Sequence, residues 1–237
     1  MRNTDSQTGS SKRIRIVTKM LTKALEFWLR SQVSGISQLE VEIQASDKQL
    51  LSGCIPRVLI FALHAIYQGI HLTQIELVAE NIQIDIRSIL KGQPLRLSEM
   101  VPVFGELIVE EEALNASLSS DLLSRALNEV LHKLLPEDSR KTKQIIWRNT
   151  CIEEKKIILA ATQELQIDPQ PLEVRFGLNL YSGNELQIYP ITIQDNTKIY
   201  VESDEVYKLY LGSDVDIQEL VVVPGKVVCS GRINVNP

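Results

Sequence analysis

Between Leu39 and Leu118 the hydrophobic and polar positions fall into strand after strand. Leu39, Val41 and Ile43 alternate with Gln38, Glu40, Glu42 and Gln44, a period of two that predicts a sheet with one wet face. From Val58 to Tyr67 both faces are apolar: Val58, Ile60, Ala62 and Ile66 on one, Leu59, Phe61, Leu63, Ala65 and Tyr67 on the other. Such a strand is expected to be covered on both sides. The run from Ile70 to Ile86 is long for one strand, and its apolar phase slips twice, near Thr73-Gln74 and near Glu80-Asn81. One residue inserted into a paired strand is a β-bulge, which bends and twists a sheet. The pattern therefore predicts an α+β protein with a long, curved, mostly antiparallel sheet; two strands joined by an ordinary turn is the plainer alternative. Ile86 to Leu90 reads as one helical turn. Leu95 and Leu97 open another strand, and Val103, Gly105, Leu107 and Val109 share one face of its sequel.

Helical spacing occurs at three places. Val17, Met20, Leu21, Ala24, Leu25, Trp28 and Leu29 form a stripe at i, i+3, i+4 spacing from Ile14 to about Val33, closed by Ser34-Gly35. A short helix is expected from Glu111 to Leu118, with Glu110, Glu111 and Glu112 suiting its N-terminal dipole. Asp121 caps a second helix whose pairs Leu122-Leu123, Ala126-Leu127, Val130-Leu131 and Leu134-Leu135 recur every four residues until Pro136. Its broad apolar face is expected across the concave side of the sheet, so that the sheet wraps one or two amphipathic helices. Beyond it the chain is β again: a hairpin over Ile145–Ile152 and Lys156–Gln163, then Leu172 to Leu180 returning as Leu186 to Ile193. Ile199–Val201 extends the pair, Val206–Leu211 is a strand or a helical turn, and a last hairpin joins Leu220–Val223 to Val227–Val235 through Pro224-Gly225. The expected organisation is a disordered tail (1–11), an N-terminal α+β lobe (12–136), a charged linker (137–143) and a β-rich C-terminal lobe (144–237) that can share the same sheet.

Composition narrows the chemistry. At 44% hydrophobic the chain is globular, and no apolar run reaches the roughly 18 residues a membrane span needs. Residues 1–32 hold seven basic residues against two acids, a net +5, and the rest carries −10 of the overall −5. An acidic body argues against nucleic-acid binding, since phosphate neutralisation needs a basic face. Cys54, Cys151 and Cys229 are odd in number and far apart, which fits neither a disulfide framework nor a zinc site and points to reduced thiols in the cytoplasm. The polar first thirteen residues do not read as a signal peptide. His64, His71 and His132 read as structural or solvated. No nucleophile elbow, phosphate loop or dinucleotide fingerprint is present, so no catalytic residue, metal site or cofactor is expected. Asn115-Ala116-Ser117 matches the glycosylation sequon, which a cytoplasmic chain would not use.

Several short stretches, taken in order, carry a family resemblance: Phe27-Trp28-Leu29-Arg30-Ser31-Gln32, Leu51-Ser52-Gly53-Cys54-Ile55-Pro56, Tyr67-Gln68-Gly69, Lys91-Gly92-Gln93-Pro94-Leu95, and Gly105-Glu106-Leu107 running on to Leu114-Asn115-Ala116-Ser117-Leu118. In these the chain resembles the LmeA-like phospholipid-binding family. The resemblance implies a curved sheet wrapping a helix and the binding of phospholipid, and carries over no catalytic residue. Secreted members have an export signal or lipid anchor, and this chain shows neither. The expected function is therefore non-enzymatic binding of a phospholipid or other acyl lipid. Its groove would be lined by Phe61, Leu63, Ile75, Leu77, Ile82 and Ile84 with Leu123, Leu127 and Val130. Arg57 and Lys91 are candidates for the head group. The basic helix, through Lys12, Arg13, Arg15, Lys19, Lys23 and Trp28, would rest on an anionic membrane surface; the plainer alternative is a helix docked on the sheet with its basic side solvated, and the two are compatible if docking is reversible. The competing expectation is a scaffold module with a solid core, binding a protein by strand addition at an exposed edge.

Overall fold

The computed structural model describes residues 6–85, 93, 96–135, 144–164 and 170–237, and not the side chains of 6–17, 47, 144 and 164. The turn expected at Ile86–Leu90, Lys91 and the linker 137–143 lie outside the described residues. The protein is α+β and built on two antiparallel sheets, each of six strands. Helix α1 (Ser6–Gln32) starts ahead of the expected Ile14, so residues 6–11 of the expected tail are helical backbone. Gly9 and the neighbouring serines cost such a helix at most about 1 kcal/mol each and do not stop it.

The first sheet contains β1 (Gln38–Gln44), β2 (Cys54–Tyr67), β3 (Ile70–Gln83), β4 (Val101–Glu110), β12 (Lys226–Val235) and β11 (Val215–Val223), in that spatial order. β4 pairs with β12 from Val101–Val235 to Glu110–Lys226, so this sheet takes strands from both sides of the expected linker. Leu97 makes only an isolated bridge to Ile84, where a strand was expected. A five-residue helix α2 (Asp47–Leu51) fills the β1–β2 connection, and Gly53, at φ +80°, follows it.

The two phase slips correct the expected bulges. β2 and β3 stay in one register from Cys54–Gln83 to Tyr67–Ile70, interrupted only opposite Pro56/Asn81 and His64/Thr73. Both strands skip together at each place, with Asn81 and His64 in the left-handed region at φ 55° and 49°. A slip shared by both partners changes which residues face inward without shifting the pairing. Val58, Ile60 and Ala62 face in between the skips, Ile55 does so before them, and Ala65 is buried beyond. This also explains why β2 looks apolar on both faces. The expected second cover is replaced by an outer face on which Leu59, Phe61 and Leu63 stand partly exposed opposite Val78, Glu76 and Gln74.

The second sheet holds β5 (Gln144–Glu153), β6 (Lys156–Glu164), β7 (Gln170–Ser182) and β8 (Glu185–Gln194), extended by β9 (Ile199–Ser203) and β10 (Tyr207–Tyr210), which both pair with β8. Residues 206–211 are thus strand. The hairpin tips of this sheet cover the outer edge of β11: the Lys155 N–H donates to the Val222 carbonyl at 3.1 Å and the Ile217 N–H to that of Gly183 at 2.5 Å. Covering an edge removes a site for unwanted strand pairing.

Helix α3 (Glu111–Ser117) is the joint between the sheets. Its Ser117 hydroxyl accepts the His71 N–H of β3 at 2.8 Å. On the other side Asn115 Nδ2 donates to the Thr150 carbonyl at 3.2 Å and Glu111 Oε2 accepts the Ile152 N–H at 2.7 Å, both on β5. Nearby, Gly69 turns the β2–β3 hairpin at φ +81°, and a side chain there would run into Ser120 at 2.7 Å. Helix α4 (Asp121–Leu134) follows, capped where the Ser120 hydroxyl accepts the Leu123 N–H. Its apolar face packs on the second sheet, with Leu131 beside Trp147, Leu159, Val174, Ile188 and Ile191. The expectation had it on the first sheet. There the inner face is occupied by α1, whose Leu21 is buried with Leu50, Ile55 and Val58.

Candidate functional site

Each helix-on-sheet layer leaves an apolar hollow. Under α1 lies a cavity of about 210 Å³. Leu25, Trp28 and Leu29 of α1 roof it; Val58, Ile60, Leu77, Ala79 and Ile82 form its floor, and Val101, Val103, Ile233 and Val235 its far wall. Every residue lining it is apolar. Helical spacing explains the roof, because Leu25, Trp28 and Leu29 lie one turn apart on one face. The floor follows from strand alternation, and small residues leave it room: Ala79 is directly opposite Val103 across the ladder, and Leu77 opposite Gly105. Leu77 lies so close over Gly105 that a methyl group there would collide with it.

The second hollow, about 280 Å³, lies between α4 and the inner face of the second sheet. It shares Leu127, Val130, Leu159, Phe176 and Ile188 with a deeper void of about 50 Å³ that reaches Trp147. The two large hollows have no lining residue in common. An apolar cavity of about 150 Å³ is already enough to take up benzene from water, so both are large enough to hold part of a hydrocarbon chain.

The structure divides the expected groove. Leu77, Ile82 and Ile84 line the first hollow, and Leu123, Leu127 and Val130 line the second. Ile75 points to the inner face, opposite Ala62 and Leu107, but lines neither. Phe61 and Leu63 are on the outer face. Arg57 is there too, 3.9 Å from the Glu80 carboxylate, and not at a cavity mouth. Of the expected membrane-surface residues, Lys19 and Lys23 are exposed, and the side chains of Lys12, Arg13 and Arg15 are not described. Trp28 turns inward and lines the first hollow. Sequence reasoning missed the walls given by the second half, Phe176, Ile188 and Ile233 among them. Alternation marks these as facing one side, but nothing in it names the helix they face.

Polar chemistry is confined to the rims. At the second hollow Glu129 reaches the wall, and Lys133 Nζ donates to its Oε1 at 2.8 Å and to the Tyr207 hydroxyl at 3.3 Å. The hydrogen bond from Lys133 holds the Glu129 carboxyl below its ordinary range, and the same contact raises the ammonium. Burial pushes the Cys229 thiol up, and burial with the Glu111 and Glu153 carboxylates pushes Cys151 up, so neither is a poised thiolate at neutral pH. Among the described residues no group of three or more His, Cys, Asp or Glu is placed to hold a metal ion. No described helix is long and apolar enough to cross a membrane.

Both helix-on-sheet layers of this α+β protein border apolar, unfilled space. Residues 13–232 match the family described as LmeA-like phospholipid-binding, and the chain belongs to it. No curated protein and no solved structure matches. The described parts of the stretches that carried the resemblance serve in part as joints: Gly53 and Gly69 make turns, and Asn115 and Ser117 tie α3 to the two sheets. Asn115 spends its amide on Thr150, which also accounts for the sequon without a sugar.

Proposed function

We propose that this protein binds phospholipid without chemistry of its own, drawing an acyl chain into the hollow beneath α1 while the outside of α1 rests on an anionic membrane surface. Leu77, Ile82 and Ile84, with Trp28, are the residues assigned to the chain. The observation that carries the reading is the double character of α1. Its inner stripe, Leu21, Leu25, Trp28 and Leu29, covers an all-apolar space. Its outer side bears Lys19, Lys23 and Arg30 beside Met20, 46% exposed, and Phe27, 77% exposed. A large ring left in water among basic residues suits a head-group boundary, where the ring enters the lipid and the ammonium groups meet phosphate. Each methylene moved from water into the hollow contributes roughly 0.8 kcal/mol. Cys54, Cys151 and Cys229 are all unpaired, which suits a reducing compartment such as the cytoplasm.

The test is flotation with phosphatidylglycerol and with phosphatidylcholine vesicles. At about 1 kcal/mol per basic residue near an anionic surface, the double change Lys19→Glu, Lys23→Glu is expected to weaken phosphatidylglycerol binding by more than tenfold and to leave the thermal melt unchanged. Equal flotation of both proteins would remove the membrane half of the proposal. Absence of any co-purifying or exchangeable lipid in native mass spectrometry would remove the other half and favour the scaffold reading.

A further inference from the structure

The hollow beneath α4 has no part in that reading, yet it is the larger of the two and is built differently. We infer that it is a second, separate site for an acyl chain, whose anionic head group would lie at Lys133 and Tyr207. The ligand class rests on the lipid-binding reading; the site does not depend on the first hollow being occupied.

Three observations carry it. The interior is apolar, walled by Leu127, Val130, Leu159, Phe176 and Ile188, and the same five side chains also border the smaller void at Trp147. Polar groups occur only at the mouth, where Glu129 and Tyr207 contribute to the lining and Lys133 links them, lying 5.8 Å above the Tyr207 ring. A hydrocarbon interior with a cation and a phenol at its rim is the pattern an amphiphile with a negative head needs. The incoming carboxylate or phosphate can take the place of Glu129 as the acceptor of Lys133 and accept the Tyr207 hydroxyl as well. Third, the mouth is closed on one side by β10, a strand of four residues paired with β8 alone. Leu209 on it lines the hollow and is 37% exposed, so the apolar wall reaches the surface at the opening. A short strand held on one edge is a low-stability element, the kind that can part from α4 to admit a chain.

The carboxylate of a fatty acid and the phosphate of a phospholipid present the same chemistry here, and two arms separate them. In the first, cis-parinaric acid is titrated into the purified full chain. Two molecules are expected per chain, falling to one in Val130→Trp, which fills the second hollow, and to one in Ala79→Trp, which fills the first. Lys133→Gln is expected to weaken the site left in Ala79→Trp about tenfold for the acid and much less for its methyl ester. In the second, the wild-type chain is exchanged with vesicles of phosphatidylglycerol carrying a diazirine on one acyl chain and then photolysed. Crosslinks in 123–131 and 186–191, as well as in 25–29 and 77–84, are expected if phospholipid enters both. A stoichiometry of two that Val130→Trp leaves at two overturns the inference. So does a wild-type stoichiometry of one parinaric acid together with lipid crosslinks confined to 25–29 and 77–84, a result that needs no variant to fold and leaves the proposed function standing. Labelling of 123–131 alone keeps the second site and overturns the first. No crosslink anywhere and no parinaric acid bound overturns both.

Discussion

The two layers solve the same packing problem with different fastenings. α4 is pinned to its sheet by polar bonds as well as by packing: Trp147 Nε1 donates to Asn128 Oδ1 at 3.0 Å, and Lys133 bonds Tyr207. α1 is nearly twice as long, yet the side-chain hydrogen bonds described for it, from Ser31 and Gln32, stay within the helix. It is fastened to the first sheet by Leu21, Leu25 and their neighbours, that is by the hydrophobic effect. A greasy fastening has no direction and can be exchanged for another greasy surface at little net cost. A hydrogen-bonded one cannot be given up in an apolar setting without leaving a partner unmet. On the proposed function, the comparison makes α1 the lid expected to exchange and α4 the fixed one.

The largest expected effect comes from testing how filled each layer is. Ile193 is 0% exposed in the second sheet, pressed between the partners Val174 and Val201. Ile193→Ala is expected to cost about 2–5 kcal/mol in urea unfolding. Leu77 borders empty space, so part of its side chain already lacks contact atoms. Leu77→Ala is expected to cost under about 2 kcal/mol and to enlarge the first hollow. Equal losses at the two positions would mean that the space under α1 is not open in solution.

A smaller effect separates the lids themselves. Native-state amide exchange is expected to be at least about tenfold faster in 20–30 of α1 than in 123–131 of α4, a difference of about 1.4 kcal/mol in opening free energy. Added phosphatidylglycerol vesicles should change α1 and leave α4 near its free rate until the second hollow fills. Slower exchange in α1 than in α4 would reverse the assignment of the lids.

These differences were only half legible in the chain. Alternation located the strands of both sheets and the hairpin tips, because a period of two over six or more residues has one structural reading. The i, i+4 stripes locate both covering helices, and Leu77, Ile82 and Ile84 fall on the inner face that borders the first hollow. What periodicity does not carry is pairing between layers. A stripe says that a helix has a buried face and not which sheet buries it, so Leu123, Leu127 and Val130 were placed beside Phe61 when they face Phe176 and Ile188. The doubled skip at Pro56/Asn81 and His64/Thr73 was hidden for a related reason. β3 alone displays a phase slip, since polar residues mark it there, while β2 is apolar at both parities and shows nothing. Trp28 stands on the apolar stripe with Leu25 in the sequence already; the stripe does not say whether a membrane or a sheet covers it, and in the fold Trp28 lines the first hollow.

The smallest effect sets the two regions apart by their response to pH. The β8–β9 turn of the second sheet closes on Asp195, whose Oδ1 accepts the Thr197 hydroxyl at 2.7 Å, the Thr197 N–H at 2.6 Å and the Lys198 N–H at 2.8 Å, while Oδ2 accepts the Tyr200 hydroxyl at 2.5 Å. The Thr197 hydroxyl first, then Tyr200 and the backbone donors, hold the carboxyl well below its ordinary value of 3.8. A depressed carboxyl adds stability that is complete above that value and is lost as the pH falls through the lowered one. Burial, then Asp195, pushes the Tyr200 phenol up to about 12 from 10.0; because its neutral form is the favoured one, its contribution holds below pH 10 and fades as the pH climbs toward 12. The turn is therefore expected to be tightest between about pH 4 and 10 and to loosen at both ends. The side chains described around the first hollow include no such group. Protection from amide exchange at Lys198–Val201, taken against the intrinsic rate at each pH, should fall on acidification below about pH 4, ahead of 58–62 in β2, and Asp195→Asn should be poorly protected already at neutral pH and show no such acid step. If β2 and the turn loosen together in the wild type, acid is opening the whole fold and the turn has no separate contribution.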